Sequence, residues 1–134
     1  MELESEYPYT AFTGKCFDSY DGIVEVQDYT NVPIDSSDQL KAAIAKQPVA
    51  VTVDAGSYPF MHYIEGIITD PSCGTALDHA VLAVGYGVEN GQEYYIVKNS
   101  WGADWGEKGY LRIGIEDGKG ICGIQQYALY PETD

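Results

Sequence analysis

The stretch "ALDHAVLAVGYGVENGQEYYIVKNS", residues 76–100, contains two runs that predict neighbouring β-strands. The runs "AVLAVGYG" (80–87) and "EYYIVKNS" (93–100) are rich in β-branched and aromatic residues, which favour extended backbone. An Asn-Gly dipeptide lies between them, in "VENGQE", and favours the tight turn of a β-hairpin. If the two strands pair, their open ends lie side by side, and those ends carry His79 and Asn99.

The rest of the chain predicts mostly short strands. Runs of the same composition are "IVEVQDYTNV" (23–32), "VAVTV" (49–53), "GYLRIGIE" (109–116) and "QQYALY" (125–130). Gly, Asn and Asp punctuate the sequence between them, as is typical of strands joined by turns. We therefore predict an α+β fold dominated by an antiparallel β-sheet that curls into a half-barrel.

One clear helix flanks the predicted sheet, over "SSDQLKAAIAKQP" (36–48). Ser36 and Gln39 have the spacing of a capping box at its start. Apolar residues then recur at helical spacing, and Pro48 predicts the end of the helix.

Composition excludes several classes of protein. The chain has 134 residues, enough for one domain, and its 45% hydrophobic residues and twelve tyrosines indicate a folded core. With 21 acidic against 7 basic residues the net charge is −14, which disfavours nucleic acid and anionic membranes as partners. No run reaches the ~18–20 apolar residues of a membrane span. The opening "MELESEYPYT" is polar, and we expect no secretory leader there.

His79 poses the main functional question, because the core of a strand has no need for an imidazole. One interpretation is a buried, hydrogen-bonded structural histidine. A second is a general base: Asn99 could accept a hydrogen bond from one ring nitrogen and leave the other to face a nucleophile. A metal site of Asp78, His79 and a cysteine is a third, although no CxxC spacing supports it. The other histidine, His62 in "FMHYIEG", is expected to be an ordinary surface or core residue.

Two blocks favour the second interpretation. "DHAVLAVGYG" (78–87) and "YYIVKNSWGADWGEKGYLRI" (94–113) resemble the histidine and asparagine blocks of the papain-like cysteine peptidases, the cathepsin family. Further similar segments are "YPY" (7–9), "QPVAVTVDA" (47–55), "GIITDPSCG" (66–74) and "GICGI" (120–124). The resemblance covers nearly the whole chain and implies peptide-bond hydrolysis by Cys-His-Asn acyl transfer, with no cofactor and no metal.

The nucleophile block of that family has no counterpart in this sequence. Family members carry the catalytic cysteine in a C-G-[SA]-C-[WY] block near the mature N-terminus, within a helical left domain. Here the cysteines stand in "TGKCFDS" (Cys16), "DPSCGT" (Cys73) and "GICGIQ" (Cys122). The resemblance therefore implies a crossing segment (1–22) and a β-rich right domain (23–134), inactive unless combined with a Cys-bearing left domain.

The resemblance also implies roles for individual residues. His79 would be the general base, Asn99 would orient its ring, Trp101 would shield their hydrogen bond, and Trp105 would line the leaving-group side. Asp78 would tune the site. The specificity pocket would be formed by Thr52, Leu77, Ala80 and Tyr127, with Leu77 as an apolar wall and Tyr127 making the floor shallow.

For the cysteines the resemblance implies a Cys73–Cys122 disulfide, which would tie the loop before His79 to the penultimate strand. It leaves Cys16 unpaired within this chain.

Partners and location follow from the same resemblance. The expected partners are the left domain, peptide or protein substrates, and a propeptide or cystatin-like inhibitor. The expected location is lysosomal, vacuolar or secreted.

A rival interpretation is a stand-alone, non-catalytic binding module that keeps only the shape of the cleft wall. The presence of both His79 and Asn99 argues against that rival, since a binding module needs neither. A third alternative is self-association through the exposed inter-domain face.

Overall fold

The computed structural model describes residues 1–17 and 22–133. The strands and helices are β1 (Val26–Asn31), α1 (Ser37–Ile44), β2 (Val49–Val53), α2 (Tyr58–Met61), β3 (Ile67–Ile68), β4 (His79–Glu89), β5 (Gln92–Lys98), β6 (Tyr110–Gly114) and β7 (Ala128–Thr133), with a 3-10 turn at Ile121–Gly123.

The chain divides into two compact units. The smaller consists of Met1–Thr30 and Pro131–Asp134, and the larger of Asn31–Tyr130. In the smaller unit a turn forms where the carbonyl of Leu3 accepts the backbone N–H groups of Glu6 and Tyr7. The larger unit contains His79 and Asn99. The predicted division into a crossing segment (1–22) and a right domain (23–134) remains a prediction.

The sheet has the strand order β1-β7-β2-β4-β5-β6-β3. The pairs β2–β4, β2–β7, β4–β5 and β5–β6 are antiparallel. At the far edge β3 runs parallel to β6, with Ile67 beside Arg112. The β-dominated α+β fold is confirmed, but the prediction of a wholly antiparallel sheet is wrong at this edge. A strand of two residues is too short to show the alternation by which strands are recognised in a sequence.

The central hairpin forms as predicted. Glu89 pairs with Gln92, and the turn residues Asn90 and Gly91 both have positive φ, at 51° and 82°. These are the backbone angles of a type I′ turn, whose twist matches that of the flanking strands. Pairing continues back along the hairpin to Leu82 opposite Lys98.

Helix α1 begins where the sequence predicts it to begin. The Ser36 hydroxyl accepts the backbone N–H of Gln39 at 3.3 Å. The helix ends at Ile44, four residues before Pro48. A hydrogen-bonded turn follows, in which the Gln47 N–H donates to the Ala43 carbonyl at 3.3 Å. The helix does not continue to Pro48, because the residue before a proline is disfavoured in the helical region.

The core lies on the covered face of the sheet in the larger unit. Its fully buried members come mainly from the central strands and include Val49, Val53, Ala83, Tyr95, Val97, Leu111 and Ile113. A disulfide joins Cys73, in the loop before β4, to Cys122. Cys122 lies in the 3-10 turn and not in the penultimate strand, as the resemblance implied.

Candidate active site

The site forms where β2, β4 and β5 end. His79, the first residue of β4, pairs with Val53, the last residue of β2. Asn99 directly follows β5, and its backbone N–H donates to the carbonyl of Gly109 at 3.0 Å. The side chains meet: His79 Nε2 lies 2.9 Å from Asn99 Oδ1. The hairpin therefore brings together the two residues that are expected to act as base and orienter.

Local hydrogen bonds assign the donor and the acceptor in this contact. The backbone N–H of Ser100 donates to Asn99 Oδ1 at 2.8 Å, which identifies that atom as the amide oxygen. Since an amide oxygen can only accept, His79 Nε2 must carry the proton and donate it. In the neutral ring the lone pair then resides on Nδ1, which is the arrangement that a general base requires.

Asn99 is buried, with only 7% of its surface exposed. Its Nδ2 is also buried and has no hydrogen-bond partner among the residues that the structure describes. A shallow cavity of about 290 Å³ next to Asn99 is lined by residues 80–82 and 98–100.

Aromatic side chains enclose the His79–Asn99 contact. The Trp101 ring stacks on the imidazole at 5.2 Å between ring centroids, although 43% of Trp101 remains exposed. Trp105 lies edge-on to Trp101 at 5.2 Å. Trp101 lies directly on the imidazole and Trp105 lies behind Trp101; the shielding role of Trp101 and the leaving-group role of Trp105 remain predictions.

Phe60, which no sequence pattern had marked, packs against the rings of His79, Trp101 and Trp105. It is completely buried in α2, and its ring lies 6.2 Å from His79, 5.5 Å from Trp101 and 5.6 Å from Trp105. A four-residue helix has no amphipathic repeat to mark its inward position. The one sequence feature that could have pointed to Phe60 is Pro59 directly before it, because a proline is common in the first turn of a helix.

Three of the expected pocket residues lie together. Thr52 pairs with Ala80 across β2 and β4, and its hydroxyl donates to the carbonyl of Tyr127 at 3.2 Å. Tyr127 is 53% exposed. Leu77 lies against Gly123, where an added Cβ would come within 2.8 Å of Leu77 Cδ2. The assignment of these four residues to a substrate pocket remains a prediction.

Asp78 has a clear structural contact. Its Oδ1 accepts the backbone N–H of Ala55 at 2.8 Å, and its own N–H donates to the carbonyl of Val53 at 3.1 Å. The carboxylate of Asp54 likewise accepts the N–H of Ala76 at 3.0 Å. These two carboxylates hold the segment before His79 against the end of β2.

The described residues provide no cluster of three or more His, Cys, Asp or Glu side chains that could hold a metal ion. They also provide no helix long and apolar enough to cross a bilayer. The Cys73–Cys122 disulfide that the resemblance implies is present, and Cys16 is exposed with a free thiol.

Comparison with known proteins gives consistent matches. The family described as papain family cysteine protease matches residues 1–132. The chain is 48% identical to the KDEL-tailed cysteine endopeptidase CEP2 of Arabidopsis thaliana, in an alignment that covers 98% of this chain and 37% of that protein. It is also 48% identical to vignain of Ricinus communis, covering 98% of this chain and 38% of vignain.

Solved structures agree. The bromelain protease from Ananas comosus in complex with the E64 inhibitor has a TM-score of 0.90 and 42% identity, covering 99% of this chain and 63% of that chain. The proform of the ragweed pollen cysteine protease Amb a 11 has a TM-score of 0.90 and 34% identity, covering 99% of this chain and 41% of that one.

The chain spans little more than a third of the length of the curated relatives named above and aligns with their C-terminal part. The chain therefore belongs to the papain family of cysteine proteases.

Proposed function

We propose that this chain supplies the histidine and asparagine of a cysteine endopeptidase and hydrolyses peptide bonds when combined with a left-hand domain that bears the nucleophilic cysteine. The observation that carries the proposal is the 2.9 Å contact from His79 Nε2 to Asn99 Oδ1, with the amide oxygen fixed by the N–H of Ser100. That geometry leaves Nδ1 as the basic atom of the ring.

The chemistry proceeds by acyl transfer. His79 Nδ1 takes the proton of the cysteine thiol, and the thiolate attacks the peptide carbonyl. As the C–N bond breaks, the imidazolium gives its proton to the leaving amine, and an acyl-enzyme thioester remains. His79 then takes a proton from water, the hydroxide displaces the thiolate, and the carboxylic acid product leaves. Asn99 holds the ring in one plane through these steps, while Trp101 limits the access of water to their hydrogen bond.

The chain without such a domain is expected to be inactive. Cys73 and Cys122 are bonded to each other and have no thiol to offer. Cys16 is free and exposed, but "TGKCFDS" does not resemble the family's nucleophile block.

The preferred substrates are peptides with a small or medium apolar side chain next to the cleaved residue. Thr52, Ala80 and Leu77 offer a mostly apolar wall, and the bulk of Tyr127 limits the depth of the pocket. The hydrogen bond from the Thr52 hydroxyl to the Tyr127 carbonyl supports a fixed position for this floor.

A secretory, vacuolar or lysosomal location is proposed for the parent protein, because the Cys73–Cys122 disulfide suits an oxidising compartment. Propeptides and cystatin-like inhibitors are proposed as further partners. The proforms of Amb a 11 and of Tenebrio molitor procathepsin L 3 support the first of these by similarity.

The test is reconstitution. The chain is mixed with a left-hand polypeptide that carries the C-G-[SA]-C-[WY] block, and cleavage of a peptide substrate and labelling by an epoxide thiol inhibitor are measured. We expect both signals only in the mixture, and we expect His79→Ala to abolish cleavage. Tyr58→Ala is the matched control, since that side chain is 76% exposed on α2 and lies outside the proposed machinery. Thiol-dependent turnover by this chain alone would contradict the proposal, and a folded mixture without activity would favour the binding module.

A further inference from the structure

The loop between β5 and β6, residues 99–109, carries both tryptophans and is held at several backbone points. The Trp105 carbonyl accepts the N–H of Gly109 at 2.8 Å, and the Glu107 N–H donates to the Tyr110 carbonyl at 2.9 Å. Gly102, Gly106, Lys108 and Gly109 all have positive φ. The loop is therefore tightly folded on itself, and its backbone contacts reach no farther than Tyr110, the first residue of β6.

The Glu107 carboxylate adds polar contacts that join the loop to more distant residues. It binds Arg112 of β6 through Nε and Nη2, at 3.0 and 2.8 Å, in a two-pronged ion pair. Glu107 Oε1 also accepts the backbone N–H of Gly66, 41 residues away, at 2.9 Å. These side chains are only 30% and 20% exposed, for Glu107 and Arg112 respectively. Such partly desolvated, bidentate pairs restrict motion more than surface pairs do.

Tyr63 completes the set of contacts. Its hydroxyl donates to the Gly66 carbonyl at 2.6 Å and accepts the Arg112 N–H at 3.3 Å. We refer to Glu107, Arg112, Gly66 and Tyr63 together as the clasp. Three chain segments that are distant in sequence meet in it: the tryptophan loop, the segment after α2, and β6.

The clasp is in direct contact with the aromatic cover of the site. The Tyr63 ring lies 5.5 Å from the Trp105 ring. At Gly106, between Trp105 and Glu107, an added Cβ would lie 2.7 Å from the Tyr110 carbonyl and 3.0 Å from the Tyr63 ring. The loop backbone at this point has no space to shift towards Tyr63. Trp105 in turn packs on Trp101, which stacks on His79.

We infer that Glu107 is a positioning residue: by binding Arg112 and the N–H of Gly66 it holds the tryptophan loop so that Trp101 covers the His79–Asn99 hydrogen bond. Without the Glu107 carboxylate the loop keeps its backbone bonds to Tyr110 and the packing of Trp105 on Phe60, but it loses the side-chain attachment to Arg112 and to Gly66. Trp101 then leaves the imidazole more often, and water reaches Nε2–H. The significance of this for catalysis rests on the proposed function, while the physical effect lies wholly within the larger unit.

The test measures the exchange of the His79 Nε2 proton with solvent by NMR in the full chain. We expect Glu107→Gln to speed this exchange about tenfold, the change that loss of roughly one hydrogen bond's worth of local stability produces. The amide of Val97, buried in β5 and paired with Ala83 and Leu111, reports global opening in the same spectra. We expect its exchange to change much less.

Glu89→Gln is the matched control. Glu89 contacts the same Arg112 once, through Nη1 at 3.2 Å, and is itself 53% exposed. The Glu89→Gln variant should leave the exchange rate of the His79 Nε2 proton within about twofold of that in the parent chain, as expected for loss of a surface ion pair. An unchanged rate in Glu107→Gln, an equal increase in Glu89→Gln, or an equal acceleration at Val97 would each overturn the inference.

If Glu107→Gln does not fold, the comparison is made with Arg112→Lys, which keeps a positive charge but not the two-pronged geometry. If Arg112→Lys accelerates exchange at His79 by a larger factor than at Val97, the result supports the clasp. Equal acceleration at the two sites overturns it. Because no cysteine nucleophile takes part in this measurement, failure of reconstitution would leave its result unaffected, and the reverse is also true.

Discussion

Phe60 and Trp105 stack with their ring centroids 5.6 Å apart and an interplanar angle of 30°. Phe60 is fully buried in a helix of only four residues, and Trp105 belongs to the loop whose Glu107 binds Gly66, 41 residues away. This stack joins α2 to the loop that carries Trp101. The position of the aromatic cover over His79 thus depends on packing beneath the site as well as on the residues within it.

Truncation of Phe60 should destabilise the chain and loosen the cover. Phe60→Ala leaves a cavity beneath three aromatic rings and should lower the free energy of unfolding by about 3–5 kcal/mol. Denaturant unfolding followed by circular dichroism measures this, and acrylamide quenching of tryptophan fluorescence should increase. Met61→Ala is the control, because Met61 belongs to the same helix and is 51% exposed. An effect of Met61→Ala as large as that of Phe60→Ala would refute the structural role given to Phe60.

Substitution of Asn99 should free the histidine ring. In Asn99→Ala the Nε2 proton has no fixed acceptor, so the imidazole ¹⁵N shifts should move from a single tautomer towards a mixture. In the reconstituted enzyme we expect kcat/KM to fall on the order of 10²-fold, the lower end of what positioned acid–base groups contribute. Ser100→Ala keeps the backbone N–H that donates to Asn99 and serves as the control. A single tautomer in Asn99→Ala would show that Asn99 does not orient the ring.

The disulfide should provide a large share of the stability of the larger unit. Cys73 and Cys122 are separated by 49 residues, and the chain-entropy model assigns about 4 kcal/mol to a loop of that length. The double variant Cys73→Ser/Cys122→Ser should lose stability of that order in urea unfolding. Cys16→Ser should have little effect, since that thiol is exposed and free.

Peptide mapping provides a second check on the cysteines. Alkylation of the oxidised protein should label Cys16 only. Label on Cys73 or Cys122 after oxidation, or a bridge from Cys16 to either of them, would contradict the pairing.

Acid should weaken the clasp. The Arg112 guanidinium beside Glu107 lowers the pKa of that carboxyl below its usual value of 4.5. Because the pKa is lower in the folded chain than in the unfolded chain, the stabilisation is complete above about pH 4.5 and is lost as the pH falls through the folded-state pKa. The other groups that face Glu107 are the Gly66 N–H and the Tyr63 hydroxyl, and burial raises the pKa of Tyr63 to about 12, so Tyr63 stays neutral throughout.

Glu107→Gln should therefore lower the free energy of unfolding at neutral pH by about 1–3 kcal/mol, and the loss should shrink as the medium is acidified. Urea unfolding at a series of pH values measures both effects. Glu89→Gln, which removes one contact of Arg112 with a more exposed carboxylate, should cost less at neutral pH. If the free energies of unfolding of Glu107→Gln and the parent chain differ by the same amount at every pH, the ionisation of Glu107 does not contribute to stability and the prediction is wrong.

Patterns of neighbouring residues were enough to predict the local elements and the family. The Asn90-Gly91 turn, the Ser36 cap and the strands of the central hairpin depend on residues close together in the chain, and each formed where the pattern predicted it. His79 and Asn99 were found because they occupy the open ends of one hairpin, so their meeting follows from the pairing of neighbouring strands. The blocks around them were specific enough to identify a papain-like domain.

The distant side chains that support those two residues could be identified only from the folded structure. Phe60 beneath the rings, the Glu107 contact with Gly66, and the parallel pairing of β3 with β6 all join segments separated by tens of residues. The bond from the Ala55 N–H to Asp78, just beyond the end of β2, is another contact of this kind, and the expected tuning of the histidine by Asp78 remains a prediction. No periodicity marks such contacts, because they depend on how the loops and short elements pack once the sheet has formed. The strand and turn patterns are encoded by neighbouring residues, whereas the geometry that holds the imidazole in place arises from packing across the whole unit.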